Sequence, residues 1–264
     1  AWDAGDTVSY GPLTKTVEDA ALFLDVVAGP SAQDPTSLPA SGLSYRRAVA
    51  REIDQKLRIG FSPDLGYAVV QSDVAAAVED GARVFESLGH RVERFEGGPP
   101  ALGWEWGMTG SFELAAKLHE LVRSRPEDFG RAFLSSVEAG FRVTPEIWGK
   151  AAKNRARLND WCAETFDRYD VIVTPTVPYD PPGARGPFPE ETEGRRQPMF
   201  SVASFTIPFN LSGNPAATLR AGLSRAGLPV GLQIVGPRFA DDLVLQVARA
   251  FERERPWHPH WPDV

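Results

Sequence analysis

Apolar side chains recur along this chain at two spacings, and the spacings alternate. Val17, Ala20, Ala21, Leu24, Val27 and Ala28 fall on one helical face; Thr16, with Asp19 three residues on, offers a start and Gly29 a stop. That helix is expected to pack on a sheet. Leu57 to Ser62 is an apolar run of strand length. Residues 73–88 return to helical spacing with Val74, Ala77, Val78, Gly81, Val84, Phe85 and Leu88 inward, and Arg91 to Phe95 reads as a further strand, giving a strand–helix–strand unit. Residues 101–168 read as mostly helical. Ala216 to Leu219 and Val230 to Val235 are short apolar runs punctuated by Gly222, Gly227 and Pro229, which predicts two buried strands in a hairpin-like pair. A last helix over about 240–254 places Leu243, Val247, Ala248 and Phe251 together, with Asp241 and Asp242 at its positive end and Pro256 beyond it. The alternation is that of an α/β layer structure.

Two stretches break the periodicity. Residues 178–199, PYDPPGARGPFPEETEGRRQPM, mix prolines, glycines and charges with no helical or strand period, which predicts a long surface loop. Its place after the strand end at Thr174-Pro175-Thr176 makes it a candidate rim of a substrate entrance. The segment Asn210-Leu211-Ser212-Gly213-Asn214-Pro215-Ala216 reads as a tight loop beside a strand end, where Gly213 and Pro215 suit a sharp bend. Gly60 to Gly66 lacks both G-x-G-x-x-G and a G-K-(S/T) ending, so a phosphate loop is not indicated.

Composition narrows the class. The 264 residues are 42% hydrophobic and 24% charged, ordinary globular material with a core large for its surface. The single cysteine, Cys162, cannot form an internal disulfide; it suits a cytoplasmic setting and is expected to pack as a small apolar residue. A net charge of -7 argues against a broad phosphate-binding face, so no nucleic-acid partner is expected. No apolar run approaches the roughly 20 residues needed to cross a bilayer, so no membrane partner is expected either.

Three blocks carry a resemblance. Asn210 to Ala216 followed by Gly227 to Ile234 (GLPVGLQI) resembles the N-x-(S/T)-G-x-P-A and G-L-P-x-G-(L/V)-Q-(I/L) segments of the amidase signature family. Asp6 to Ala21, DTVSYGPLTKTVEDAA, resembles its D-x-x-G-P block with Ser9-Tyr10 lengthening the loop, and Asp170 to Pro178, DVIVTPTVP, its D-x-(I/L)-(L/V)-x-P-(T/S)-x-P strand and loop. The order is that of the family and the blocks span nearly the whole chain.

The resemblance implies an α/β/α fold with a central mixed sheet flanked by helices, of which residues 1–264 would be the C-terminal portion. It also implies a mechanism without metal or cofactor. A Lys deprotonates a Ser on a cis peptide, which deprotonates a nucleophilic Ser; attack on the amide carbonyl gives an acyl-enzyme that water releases. In the family, that Lys and the Gly/Ser-rich segment bearing both serines precede the D-x-x-G-P block, which begins here at Asp6, so all three groups would lie ahead of Ala1 and this chain alone would be inactive. The chain begins with Ala, in keeping with a partial polypeptide. Such a portion is expected to expose a sheet edge and an apolar patch.

No substitute catalytic set emerges. No Lys follows a Ser by three residues, and Asn210-Leu211-Ser212-Gly213-Asn214 lacks the flanking glycines of a nucleophile elbow. His119-Glu120 lacks the second His of a zinc helix, and His258-Pro259-His260 reads as a solvated terminus. Asp6 is the candidate supporting residue, with a capping role the alternative. Trp104, Trp106, Met108 and Phe112, in the region that varies most across the family, are candidate substrate contacts, with core packing the alternative for each. Thr174, Thr176, Asn210 and Ser212 are candidate pocket-lining residues. The partners implied are a small-molecule amide and the N-terminal portion of the same protein, with homodimer formation left open. Competing readings are the A subunit of a glutamyl-tRNA(Gln) amidotransferase, an amidase-like scaffold without chemistry, and an unrelated α/β ligand-binding domain.

Overall fold

A computed structural model describes residues 7–34 and 36–257. Helices α1 (Val17–Val27) and α2 (Tyr45–Val49) lead to strand β1 (Arg58–Phe61), helix α3 (Ser72–Ser87) and strand β2 (Arg91–Arg94). Three helices follow, α4 (Gly103–Ser124), α5 (Arg131–Gly140) and α6 (Pro145–Arg168), and then strand β3 (Val171–Pro175). A small hairpin, β4 (Glu191–Thr192) and β5 (Arg195–Arg196), precedes helix α7 (Ile207–Ser212), strands β6 (Ala216–Leu223) and β7 (Pro229–Val235) and helix α8 (Asp241–Glu254).

Five strands form a mixed sheet in the order β2-β1-β3-β7-β6. β1 runs parallel to both β2 and β3, whereas β7 is antiparallel to β3 and β6. The parallel half follows from the β1–α3–β2 crossover, and the antiparallel half from the short turn between β6 and β7. Helices α3 and α8 cover one face. Gly81 of α3 permits close approach there, since a Cβ would sit 2.7 Å from Leu232 Cδ1. Across the other face lie α6, α7 and the segment containing Phe205, with Leu102, Leu158, Cys162, Ile207 and Leu211 closing a second small core. The chain is therefore an α/β structure with a mixed sheet between helical layers.

Most predicted elements stand where the periodicity placed them. Thr16 caps α1 by accepting the Asp19 N–H, and Cys162 lies buried on α6. Four expectations need correction. Helix α1 rests mainly on α2 and α8 instead of directly on the sheet, so only Val17 and Ala21 are buried and Val27 and Ala28 are exposed. It stacks as an outer layer, which leaves Leu22, Phe23 and Val26 exposed as well. The β6–β7 pair is not buried throughout: β6 runs on to Leu223, forms one edge of the sheet and is largely half-exposed. The 178–199 stretch contains the β4–β5 hairpin, whose turn places Glu193 (φ 50°) and Gly194 (φ 77°) in the left-handed region. Finally, Asn210, Leu211 and Ser212 are helical; Pro208 opens α7 and Gly213, at φ 69°, terminates it.

Candidate functional site

The turn from α7 into β6 is held by polar groups, of which Ser212 and Asn214 are buried. Arg155 Nε donates to the Leu211 carbonyl at 2.7 Å, and Arg238 Nε to the Ser212 carbonyl at 2.6 Å, so two cations meet the negative end of α7. The Ser212 hydroxyl donates to Asn214 Oδ1 at 2.7 Å, and Asn214 Nδ2 donates to the Gly236 carbonyl at 2.8 Å. This chain of bonds ties the turn to the end of β7. Burial of Cys162, near Ser212, pushes its thiol up to about 11, so it stays protonated and unreactive near neutrality.

A second feature is an open part of the sheet. Thr176, just past β3, stands beside Thr218 of β6, hydroxyl to hydroxyl 3.3 Å, across Gly231 of β7. A Cβ at Gly231 would fall 2.7 Å from Thr176 Oγ1, so glycine keeps this floor low. Arg220 is paired with Gly231 and shares that face with Thr218 by strand alternation. Its Nε is buried and has no hydrogen-bond partner among the described residues. Neighbouring Gln233 and Thr174 are covered: Gln233 Nε2 donates to Thr174 Oγ1 at 3.1 Å and to the Phe205 carbonyl at 2.9 Å.

Third, a groove of about 620 Å³ separates the 178–199 stretch from the start of α3, lined among others by Asp73, Asp180, Glu191, Glu193 and Arg225. The hairpin is latched there. Glu193 accepts the Ser72 N–H at 3.1 Å and the Ser72 hydroxyl at 2.7 Å, at the positive end of α3, and these bonds hold its carboxyl below the usual range. Asp73 accepts the Arg225 N–H at 2.7 Å, the first cause of its own lowered value.

The candidate residues do not converge on one pocket in this chain. Asp6 lies outside the described residues. On α4, Trp104 is half-buried with Lys150 Nζ 5.2 Å above its ring, and Met108 is half-buried. Trp106 donates its indole N–H to the Thr7 carbonyl at 2.8 Å and meets Phe200 edge-on, while the exposed Phe112 packs against Trp148. Thr174 is fully buried and commits its hydroxyl to the Pro175 carbonyl at 2.8 Å; Ser212 is buried in the turn just described. Asn210 is half-buried on α7, and Thr176 faces the open floor. Sequence reasoning missed Asp73, Glu193, Arg225 and Arg220. Of these only Arg220 left a readable sign, a charge inside the otherwise uncharged strand AATLRAGL. Among the described residues no cluster of three His, Cys, Asp or Glu side chains is placed to hold a metal ion.

A mixed sheet between helical layers, with a polar turn before a sheet-edge hairpin, defines an α/β domain. The Amidase family model matches residues 5–245, and the chain belongs to that family. It is 34% identical over 257 residues to an acylamidase of Rhodococcus erythropolis, covering 94% of this chain and 52% of that protein. It is 29% identical over 273 residues to the A subunit of the glutamyl-tRNA(Gln) amidotransferase from Geotalea daltonii, covering 94% and 55%. The structure of a bacterial aryl acylamidase of the amidase signature family superposes with a TM-score of 0.86 at 29% identity, covering 95% of this chain and 54% of that one. A 6-aminohexanoate cyclic dimer hydrolase gives 0.77 at 27%, covering 92% and 54%. The chain thus spans about half the length of the curated relatives it matches.

Proposed function

We propose that these residues are the C-terminal framework and pocket wall of an amidase that cleaves linear carboxylic amides through a Ser–cis-Ser–Lys acyl-enzyme mechanism. The reactive groups would reside on polypeptide outside this chain. The observation that carries the reading is the superposition with the aryl acylamidase over nearly all of this chain but about half of that one. The exposed apolar side chains of α1, Leu22, Phe23 and Val26, support it. In that setting the Arg155–Arg238 clamp and the Ser212–Asn214 bond would fix the α7–β6 turn, and Thr176, Asn210 and the aromatic side chains Trp104, Trp106 and Phe112, with Met108, would shape the pocket. Asp6 would support the catalytic loop.

A panel of anilides, aliphatic amides and glutamine tests this. The full polypeptide encoded by the gene should hydrolyse amides in a cytoplasmic-type, reducing buffer, and the isolated 264 residues should not. Turnover by the isolated 264 residues that is abolished by altering one of their own side chains would overturn it. A second reading, the amidotransferase A subunit, is favoured by the glutamyl-tRNA(Gln) amidotransferase relatives at 27–30% identity. It expects glutamine as the preferred substrate and co-purifying subunits.

A further inference from the structure

Three guanidinium groups gather where the parallel half of the sheet begins. Arg58 opens β1 and Arg91 opens β2, and the two are partners in the parallel register, so their side chains leave the sheet on one face. Arg168, the last residue of α6, reaches the same place because the chain runs from it through Tyr169 into β3, which pairs with β1. With Glu93, Asp167 and Tyr169 they line a cavity of about 290 Å³.

Like charges side by side on paired strands repel, and the carboxylates nearby are already shared out. Arg58 Nη2 donates to Asp170 at 3.2 Å, Asp170 also accepts the Arg58 N–H at 2.7 Å, and Arg58 Nη1 donates to the Asp167 carbonyl at 3.3 Å. Glu93 serves three groups: it accepts the Tyr169 hydroxyl at 2.8 Å and lies 3.4 Å from Arg91 Nη2 and 3.6 Å from Arg168 Nη2. That 3.4 Å contact is the one hydrogen bond of the Arg91 side chain among the described residues, which leaves its Nε and Nη1 without a protein acceptor. Arg168 is held in place, its Cζ 5.0 Å over the Tyr169 ring and its Nη2 donating to the Tyr169 hydroxyl at 3.0 Å. Tyr169 is itself buried, stacked on Phe95 and seated on Gly60, where a Cβ would fall 2.8 Å from its Cδ2. Two of the cations are thus pre-set and the third has donors to spare, an arrangement that matches the several acceptor oxygens of a phosphate group.

We propose that this cavity binds the phosphate group of a small phosphomonoester, with Arg58, Arg91 and Arg168 as its donors. The cavity has about ten times the roughly 30 Å³ share of a water molecule, room for a phosphate and a small organic substituent. Asp167 on the wall opposes an anion, and the Arg91 side chain is 69% exposed, so the attraction is screened and the affinity modest, on the order of 1 mM for inorganic phosphate. The site lies at the other end of β3 from Thr176, and the proposal stands without the amide chemistry.

Titration of the 264-residue chain with inorganic phosphate and with phenyl phosphate at fixed ionic strength, followed in two-dimensional amide spectra, tests the proposal. Amides around Arg58, Arg91 and Arg168 should shift saturably, phenyl phosphate should bind at least as tightly as inorganic phosphate, and sodium chloride at the same ionic strength should leave these amides in place. Arg91→Ala should weaken binding about tenfold or more, Arg91→Lys should restore part of it, and Asp167→Asn should tighten it about threefold or more. Unchanged α3 resonances report an intact fold in each variant. Shifts that follow ionic strength whatever the anion, saturable shifts confined to other parts of the chain, or full affinity in Arg91→Ala overturn the site. Tighter binding of inorganic phosphate than of phenyl phosphate overturns the monoester as its ligand. Should Arg91→Ala lose its native spectrum, Asp167→Asn decides: affinity no higher than that of the parent chain overturns the proposal.

Discussion

Ser212 illustrates how a residue that looks like a site from sequence can be a fastener in three dimensions. Its hydroxyl is buried and holds Asn214, which in turn holds the Gly236 carbonyl. Ser212→Ala leaves the buried Asn214 Oδ1 without this donor and should lower stability by about 1–3 kcal/mol, measured by urea unfolding. Cys162 makes a second case. Because its value rises from 9.0 to about 11 on folding, its contribution is present below pH 9.0 and lost as the pH climbs toward about 11. Unfolding midpoints should therefore fall over that alkaline range, less so in Cys162→Ala, and the native thiol should resist Ellman's reagent near neutrality. Gly98 is a third: a Cβ there would lie 1.9 Å from the Leu65 carbonyl oxygen, a backbone atom that cannot swing aside. Gly98→Ala should cost about 3 kcal/mol or more, seen as a large drop in the thermal midpoint.

At the scale of elements, the β4–β5 hairpin is held by bonds that depend on charge. Folding lowers the Glu193 carboxyl from 4.5, so its contribution is present above that value and lost as pH falls through the lowered one; Asp73 behaves alike from 3.8. Arg195 and Arg225 face Glu193 and add to the effect. Residues 189–197 should thus exchange amide hydrogens faster as pH falls from about 6 to about 3, once the intrinsic pH dependence of exchange is removed. Glu193→Gln should flatten that dependence and give a looser hairpin at neutral pH. The latch itself was unreadable from sequence. Glu193 and Ser72 are 121 positions apart, and nothing in the local pattern around either names the other.

For the whole molecule, the amide-panel experiment asks whether the 264 residues, which cover about half the length of the matched relatives, turn over amides by themselves.

Hydrophobic period alone set the existence and type of β1, α3, β7 and α8, because each buries a face whose spacing is written locally. The three ordered motif blocks set the family. Burial, by contrast, belongs to neighbours. Apolar α1 lies outside α8 and keeps Leu22, Phe23 and Val26 exposed, and apolar β6 became an edge because strand order is chosen by the sheet as a whole. The same holds for the candidate site: Thr174 and Ser212 were polar residues in suggestive motifs, yet Gln233 and Asn214, 59 and 2 positions away, take up their hydrogen bonds. Sequence fixes which side chains are available and their local period; only the folded arrangement decides which of them are enclosed, which are satisfied, and which, like Nε of Arg220, have no hydrogen-bond partner among the described residues.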